Sequence, residues 1–238
     1  MLTLIGGTCR FDRYIPKVMV IGDSIPYGVG CTNIASWRET LYFLAQAAGT
    51  PFVFVGSQSF AGGAGGLAVN PQCECYPGAA VRNDGTHQSL LALAVPKIPT
   101  YAPDIIILQG ETNDAGPGPG GLGDSAPTIL TSLQTQQQNA WALRVYAHTK
   151  IIQLTAIQRF DDAGANATLA TVRAGLPAMI AGLSFSSAVT LVDIWNSVPF
   201  PSGYSGDNLH PNDAGDTATG NVIWPYLQAL LPGARGAT

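Results

Sequence analysis

The chain has 238 residues, of which 46% are hydrophobic and only 11% are charged, and its formal net charge is −4. This length and apolar content suffice for a full hydrophobic core, so we expect one catalytic domain over residues 1–238 rather than two. Composition and charge argue against nucleic acid as a partner, and no apolar run is long enough to span a bilayer.

Apolar runs and amphipathic stretches alternate along the chain. Strands are predicted at Val18–Gly22, Phe52–Val55, Asp104–Leu108, Ile151–Ala156 and Val189–Ile194. Helices are predicted from the capping box Ser36–Glu39 to Gly49 and at Thr86–Val95, Ser125–Ala147, Ala165–Leu183 and Asp213–Leu231, the last kinked or restarted by Pro225. This alternation predicts an α/β fold with three layers, α/β/α, around a central parallel sheet of about five strands. A functional site is then expected beyond the carboxyl ends of the strands.

Ser24 ends the tripeptide Gly22-Asp23-Ser24, directly after the first predicted strand, and Asp207 precedes His210 by three residues. A serine hydroxyl needs a neighbouring base to become a nucleophile and a third group to orient that base. His210 can be the base, and a turn can aim the Asp207 carboxylate at its ring. The two stretches together predict a catalytic triad. Taken singly, each has an alternative: an ordinary Gly-Asp-Ser turn, or a capped helix start at Asp-x-x-His-Pro.

Two more segments lie between these stretches. One is the glycine turn at Gly78, in Cys-Tyr-Pro-Gly-Ala, and the other is Gln109–Asp114, after the third predicted strand. The four blocks, in this order, resemble those of the GDSL or SGNH hydrolases. That resemblance implies a flavodoxin-like SGNH hydrolase fold and an oxyanion hole made by the backbone amides of Ser24 and Gly78 and the side-chain amide of Asn113. Glu111 departs from the pattern, which has glycine there, and the alternative for Asn113 is an Asx turn at a strand end.

Residues between the blocks are similar to those of acetylxylan esterases of carbohydrate esterase family three: Trp37-Arg38 leading to Leu41, then 52–58 and the Cys-Tyr-Pro-Gly turn. The resemblance implies a serine esterase that hydrolyses short acyl esters, acetyl foremost, on carbohydrate through an acyl-serine intermediate. The alternatives are a general short-chain esterase or lipase, a thioesterase or acyltransferase of the same superfamily, and a catalytically inactive carbohydrate-binding module.

Residues beside the four blocks are candidates for substrate contact. They are Ile25, Tyr27, Tyr76 and Trp195, with Phe200 and Tyr204 ahead of Asp207. Aromatic rings near a shallow cleft can stack on sugars, and core packing is the equal alternative for each of them. The substrate expected at this site is a small acyl ester or an acetylated carbohydrate.

The remaining reactive residues predict no metal and no cofactor. Cys73-Glu74-Cys75 is too tight for a zinc knuckle, and the state of Cys9, Cys31, Cys73 and Cys75 stays open between free thiols and, in a secreted protein, a bond from Cys31 to Cys73 or Cys75. His87 and His148 are expected to be structural or solvated. The first residues lack the basic segment of a signal peptide, so the protein is either cytoplasmic or secreted after loss of a leader. The sequence predicts no oligomeric state.

Overall fold

A computed structural model describes residues 14–32, 36–59, 72–116 and 121–232. The strands are β1 (Lys17–Gly22), β2 (Val53–Val55), β3 (Glu74–Cys75), β4 (Ile105–Gln109), β5 (Lys150–Leu154) and β6 (Val189–Val192). The helices are α1 (Ser24–Tyr27), α2 (Ser36–Ala47), α3 (Leu90–Leu93), α4 (Ile98–Tyr101), α5 (Thr112–Ala115), α6 (Ala126–Leu143), α7 (Ala163–Ala181) and α8 (Asp213–Gln228), with 3₁₀ turns at Val95–Lys97 and Ser186–Ala188. Cys9 and the glycine run at 62–66 lie outside the described residues.

All strand pairs of the sheet are parallel, in the order β2-β1-β4-β5-β6, and the two-residue β3 also pairs with β1. The predicted parallel sheet and its five strands are confirmed. Strand β3 was not predicted, because its two residues belong to no apolar run. Without β3 the order is that of a flavodoxin-like fold, in which the winding reverses beside the first strand. The reversal places a crevice between the carboxyl ends of β1 and β4, where Gly22 lies opposite Gln109.

The alternation of side chains along β1 divides the core into two halves. Val18 and Val20 belong to the cluster that α2 and α8 cover, and Met19 and Ile21 belong to the cluster under α6 and α7. Successive residues of a strand point to opposite faces, so a run that is apolar throughout indicates burial on both sides. All four side chains are fully buried.

Helices α2 and α8 approach each other closely at Gly220. A Cβ atom on Gly220 would lie 2.6 Å from Thr40 Cβ and 3.0 Å from the Trp37 carbonyl oxygen. Glycine at this position therefore lets the last helix pack directly on the first long one.

Two predicted helices differ from those observed. The helix predicted over Thr86–Val95 is helical only from Leu90, because the Asp84 carboxylate binds the backbone amides of Thr86 and His87 in a turn. Pro225 does not restart the last helix, which runs unbroken from Asp213 to Gln228. The proline is exposed, and so is Asn221, whose carbonyl loses its helical partner and can be solvated instead.

The capping box predicted for α2 forms only in part. The Ser36 hydroxyl accepts a hydrogen bond from the backbone amide of Arg38 (3.3 Å), but no bond from Glu39 back to Ser36 is present among the described residues. Glu39 instead lines a small polar cavity of about 180 Å³ with Asp213 and Asp216. In the described part of the chain, no helix is both long and apolar enough to cross a membrane.

Candidate active site

Ser24 is the first residue of α1, and Asp23 alone separates it from the end of β1. The Asp23 carboxylate caps this short helix by accepting a hydrogen bond from the Ile25 amide (2.9 Å). Gly22 lets the turn pass close to β4, because a Cβ atom there would lie 2.1 Å from the Gln109 carbonyl oxygen. Ser24 therefore lies in the crevice beside β4, because β1 ends there and Gly22 allows the close approach.

An unbroken line of hydrogen bonds joins Ser24, His210 and Asp207. The Ser24 hydroxyl oxygen lies 2.9 Å from His210 Nε2, and His210 Nδ1 lies 2.6 Å from Asp207 Oδ2. With Nδ1–H donating to the carboxylate, the Nε2 lone pair is free to accept the serine proton. The structure therefore brings together the three residues that the sequence predicted as a triad.

The turn that holds this pair is built by Asp207 itself. Its Oδ1 atom accepts hydrogen bonds from the Leu209 amide (2.9 Å) and the His210 amide (3.0 Å), and Asn208 adopts a left-handed φ of 58° that asparagine tolerates. Partial burial opposes ionisation of Asp207. The bonds from the His210 ring, from the Ser205 hydroxyl and from the two amides outweigh that effect and hold the pKa of Asp207 below its usual range.

The same turn occurs a second time, and sequence reasoning missed it. Asp84 precedes His87 by three residues, accepts the amides of Thr86 and His87, and binds His87 Nδ1 at 2.7 Å. Gly85 takes the left-handed conformation here, with a φ of 80°. Among the described residues, His87 Nε2 has no serine or cysteine within hydrogen-bonding distance. The spacing Asp-x-x-His therefore specifies a turn, and a neighbouring serine is what distinguishes His210.

The loop after Ser24 is anchored on the loop of His210. Gly30 has a φ of 98°, and a Cβ atom on it would lie 2.9 Å from His210 Cβ and 2.5 Å from the Pro211 carbonyl oxygen. Beyond it, the Cys31 thiol donates to the Asp216 carboxylate, and the Thr32 amide donates to Asp213 (2.8 Å). These contacts fix the distance between the serine and the histidine.

The segments of Gly78 and Asn113, predicted to form the oxyanion hole, are tied to each other and to β1. The Tyr76 amide donates to the Gly22 carbonyl (2.8 Å), and Asn113 Nδ2 donates to the Ala79 carbonyl (3.0 Å). One N–H of the Asn113 amide is left for another acceptor. Gly78 has a φ of 79°, and within the described residues its backbone amide has no acceptor.

Three buried carboxyl groups lie beneath these loops: Asp23, Glu111 and Asp114. The Asp114 carboxylate accepts the amides of Val81 (2.8 Å) and Arg82 (3.1 Å), which joins the Gly78 segment to the Asn113 segment. Burial raises the pKa of Asp114 and of Glu111 to about 7, and that of Asp23 to about 6, against the opposing effect of their hydrogen bonds.

Glu111, the departure from the family pattern, turns inward. It is 1% exposed, its Oε2 atom accepts a hydrogen bond from the Gly110 amide (3.1 Å), and its Oε1 atom has no partner among the described residues. The carboxyl group therefore folds back on its own loop, and α5 still begins at Thr112 with Asn113 in its first turn.

Three of the six candidate substrate contacts are core residues: Ile25, Trp195 and Tyr204, which is 6% exposed in the cluster of α2 and α8. Ile25 is 1% exposed in the same cluster, and Trp195 is 6% exposed in the other cluster, so for all three the packing alternative applies. Tyr27 and Tyr76 are half-buried, and the Tyr76 hydroxyl donates to the Glu74 carboxylate (2.7 Å). Contact of these two tyrosines with substrate stays a prediction.

The thiols and the remaining histidine complete the inventory of reactive groups. Cys31, Cys73 and Cys75 are free, so the bond considered from Cys31 to either of the others is absent. His148 Nε2 lies 2.7 Å from Asp104, at the amino ends of β4 and β5, whereas Ser24 follows the carboxyl end of β1. Within the described residues, no group of three or more histidine, cysteine or acidic side chains is arranged to hold a metal ion.

Three similar solved structures have the same fold. A serine-to-alanine mutant of an acetyl esterase, solved with an acetate ion, is 22% identical, with a TM-score of 0.71 over 91% of this chain and 98% of that one. A carbohydrate esterase family 3 protein from Talaromyces cellulolyticus is 22% identical, with a TM-score of 0.72 over 94% and 100%. A family 3 carbohydrate esterase from Clostridium thermocellum is 20% identical, with a TM-score of 0.67 over 92% and 100%.

A comparison with curated protein sequences gave no match. The model of the GDSL-like lipase/acylhydrolase family matches residues 20–218, a span that includes Ser24, Gly78, Asn113, Asp207 and His210. The resemblance predicted from the four blocks is therefore confirmed, and hydrolysis of carboxylic esters is the activity of this class. The chain belongs to the GDSL-like lipase/acylhydrolase family.

Proposed function

We propose that this protein is a serine esterase that removes short acyl groups, acetyl foremost, from carbohydrate through an acyl-Ser24 intermediate. The observation that carries the proposal is the line of hydrogen bonds from the Ser24 hydroxyl through His210 to Asp207. It supplies a nucleophile, a base and an orienting carboxylate in one network.

In the first half of the reaction, His210 Nε2 takes the proton of Ser24 as the serine oxygen attacks the acyl carbon. The tetrahedral intermediate collapses when its bond to the sugar oxygen breaks, and the imidazolium gives its proton to that leaving alcohol. In the second half, water gives a proton to His210 and attacks the acyl-serine. The collapse releases the carboxylic acid and returns the proton to Ser24. Asp207 stabilises the imidazolium in both halves.

The negative charge that develops on the acyl oxygen needs hydrogen-bond donors already in place. The Ser24 amide, the Gly78 amide and the Asn113 side chain are the donors that we assign to it. Loss of one such donor typically costs about 2.7–4 kcal/mol of transition-state stabilisation. The hydrogen bonds of Asn113 to Ala79 and of Asp114 to Val81 and Arg82 support this assignment, because they hold the two loops together before substrate binds.

Two observations favour acetyl groups on carbohydrate within the acyl hydrolase class. The similar folds include an acetyl esterase solved with acetate and two family 3 carbohydrate esterases. The residues that the sequence shares with acetylxylan esterases also hold structural positions here: Trp37 and Leu41 are fully buried in the core beneath the Ser24 loop.

Ester hydrolysis by a Ser24→Ala variant tests the proposal. p-Nitrophenyl acetate, butyrate and octanoate and acetylated xylan are given to the parent, to Ser24→Ala and to Ser187→Ala, a serine exposed in the 3₁₀ turn before β6. We expect Ser24→Ala to lose activity by roughly a million-fold and Ser187→Ala to match the parent. Parental rates should fall steeply from acetate to octanoate, with acetate released from xylan.

The other outcomes are equally informative. Near-parental activity of Ser24→Ala would remove the acyl-serine mechanism. Good hydrolysis of octanoate with no acetate from xylan would replace the carbohydrate deacetylase by a general esterase or lipase. If the parent hydrolyses none of these esters, the remaining hypothesis is a catalytically inactive carbohydrate-binding module.

A further inference from the structure

Two exposed phenylalanine rings lie together beside the His210 loop. Phe160 is 39% exposed and Phe200 is 50% exposed, and their ring centroids are 4.0 Å apart. Tyr204, which is buried, supports Phe160 from beneath, with its ring edge-on at 5.4 Å. Single exposed apolar side chains are common on protein surfaces, whereas these two are in contact and form one small apolar patch.

Backbone contacts place Phe160 between two of the site's loops. The Phe160 amide donates to the Asn208 carbonyl (2.9 Å), inside the Asp207–His210 turn. Its neighbour Arg159 donates from Nη1 to the Thr112 carbonyl (3.3 Å), next to Asn113. The segment that carries the ring therefore bridges the triad loop and the Asn113 loop at the carboxyl end of β5.

The supports of the pair are themselves fixed. The Tyr204 hydroxyl donates to the Gln158 carbonyl (2.7 Å), and the Arg159 guanidinium pairs with the Asp161 carboxylate. A ligand would find the rings already in position, so little conformational entropy would be lost on contact.

The size of the patch limits what it can bind. An aromatic side chain has about 150–250 Å² of surface, so two half-exposed rings offer on the order of 200 Å². A stable protein partner needs roughly 800 Å² on each side, far more than this patch supplies. One sugar ring has a comparable area and an apolar face of C–H groups with hydroxyls around its edge. The Asp161 carboxylate, partly exposed beside the rings, offers an acceptor to such hydroxyls.

The two rings face each other, with centroids 4.0 Å apart and planes 32° apart, so each covers one face of the other. The geometry points to Phe200, backed by Phe160, as a stacking platform for a sugar ring of the substrate, on the leaving-alcohol side of the ester. This inference rests on the proposed function and adds a recognition site to it. The platform holds the saccharide that carries the acyl group, and p-nitrophenyl acetate has no saccharide for it to hold.

Kinetics on two substrates test the platform. Phe160→Leu, Phe200→Leu and the double variant keep apolar bulk but remove the flat rings, and Phe43→Leu removes an equally exposed ring from α2. For acetylated xylo-oligosaccharides we expect the double variant to raise KM by about fivefold to tenfold, with kcat and thermal stability near parental values. On p-nitrophenyl acetate it should equal the parent, and Phe43→Leu should equal the parent on both substrates. Phe160→Tyr should retain low KM.

Each contrary result has a separate meaning. If the parent deacetylates the oligosaccharide and the double variant has the same KM, the platform is overturned while the proposed function stands. An equal loss on both substrates would assign the rings to structure and would also overturn the platform. If the parent hydrolyses p-nitrophenyl acetate but no sugar acetate, the carbohydrate part of the proposed function fails, and the platform fails with it.

Discussion

At the scale of single residues, the two Asp-x-x-His turns show what the motif encodes. In both, the aspartate accepts two backbone amides and one ring nitrogen, and a residue with left-handed φ follows it. The geometry is a local property of four residues. Only the turn of His210 has a serine hydroxyl on the other side of its ring, which makes the Asp84 turn a natural control for the Asp207 turn.

Replacement of each aspartate by asparagine should separate catalysis from turn formation. An amide at 207 can still accept the backbone N–H groups but no longer stabilises the imidazolium or the required tautomer. We expect Asp207→Asn to reduce kcat by about 10³–10⁴-fold and Asp84→Asn to change it less than about twofold. Steady-state kinetics on p-nitrophenyl acetate, with circular dichroism to verify folding, make the comparison. Equal kcat values for the two variants would contradict the role of Asp207.

The three residues of the proposed triad, which the structure joins by hydrogen bonds, could be predicted from the sequence because each lies in a short local motif. The inward turn of Glu111 could not be read, since it depends on contacts that only the folded loop supplies. Likewise, Ile25 and Trp195 follow or precede site segments in sequence, yet their side chains point into the two core clusters. Proximity along the chain does not determine which way a side chain faces.

At the scale of elements, the close packing of α2 against α8 depends on the absence of a side chain at Gly220. Alanine normally stabilises a helix interior by up to about 1 kcal/mol relative to glycine. At Gly220 the added Cβ would lie 2.6 Å from Thr40 Cβ, near a rigid backbone, whereas at Gly175 in α7 it would lie 2.6 Å from Leu130 Cδ1, at the end of a flexible side chain.

Gly220→Ala should therefore destabilise the protein by about 1–3 kcal/mol, because the two helices must separate. Gly175→Ala should change the free energy of unfolding by less than about 1 kcal/mol, since Leu130 can rotate away. Urea denaturation of both variants measures the difference. A Gly220→Ala protein as stable as the parent would show that the helix contact is looser than described.

The predicted strands agree best with the structure where the sequence has a continuous apolar run. Continuous apolar runs predicted β1, β4 and β5 to within about two residues, as expected for strands buried on both faces. Strand β3 was missed because Glu74-Cys75 has no such run, and its pairing with Ile21 and Gly22 is a long-range contact. The helix predicted from Thr86 failed at its start because the side chain of Asp84 competes for the helical amides.

At the scale of the whole molecule, buried acids set the dependence of stability on pH. Burial raises the pKa of Asp23 to about 6 and those of Glu111, Asp114 and Asp216 to about 7, above their ordinary values of 3.8 or 4.5. Between those limits the folded state binds more protons than the unfolded state. These four acids should therefore make the free energy of unfolding fall as the pH rises from about 4 to about 7.

The variant Glu111→Gln isolates the contribution of Glu111 to the change of the free energy of unfolding with pH. Its amide oxygen can still accept the Gly110 N–H, but it carries no charge at any pH. We expect the variant to be about 1–3 kcal/mol more stable than the parent at pH 8 and nearly equal to it at pH 5. Urea denaturation at both values provides the test. The same difference at pH 5 and pH 8 would mean that the ionisation of Glu111 does not contribute.

The distance along the chain between Ser24 and His210 has a consequence for how the activity arises during synthesis. During synthesis, Ser24 leaves the ribosome before His210 and Asp207, which follow 186 and 183 positions later, just ahead of α8. A nascent chain that ends before Asp207 therefore has Ser24 without the base and the carboxylate that the proposed mechanism requires. Under the proposed mechanism, activity appears only when the segment from Asp207 through α8 has packed against α2, so its appearance reports the docking of that segment.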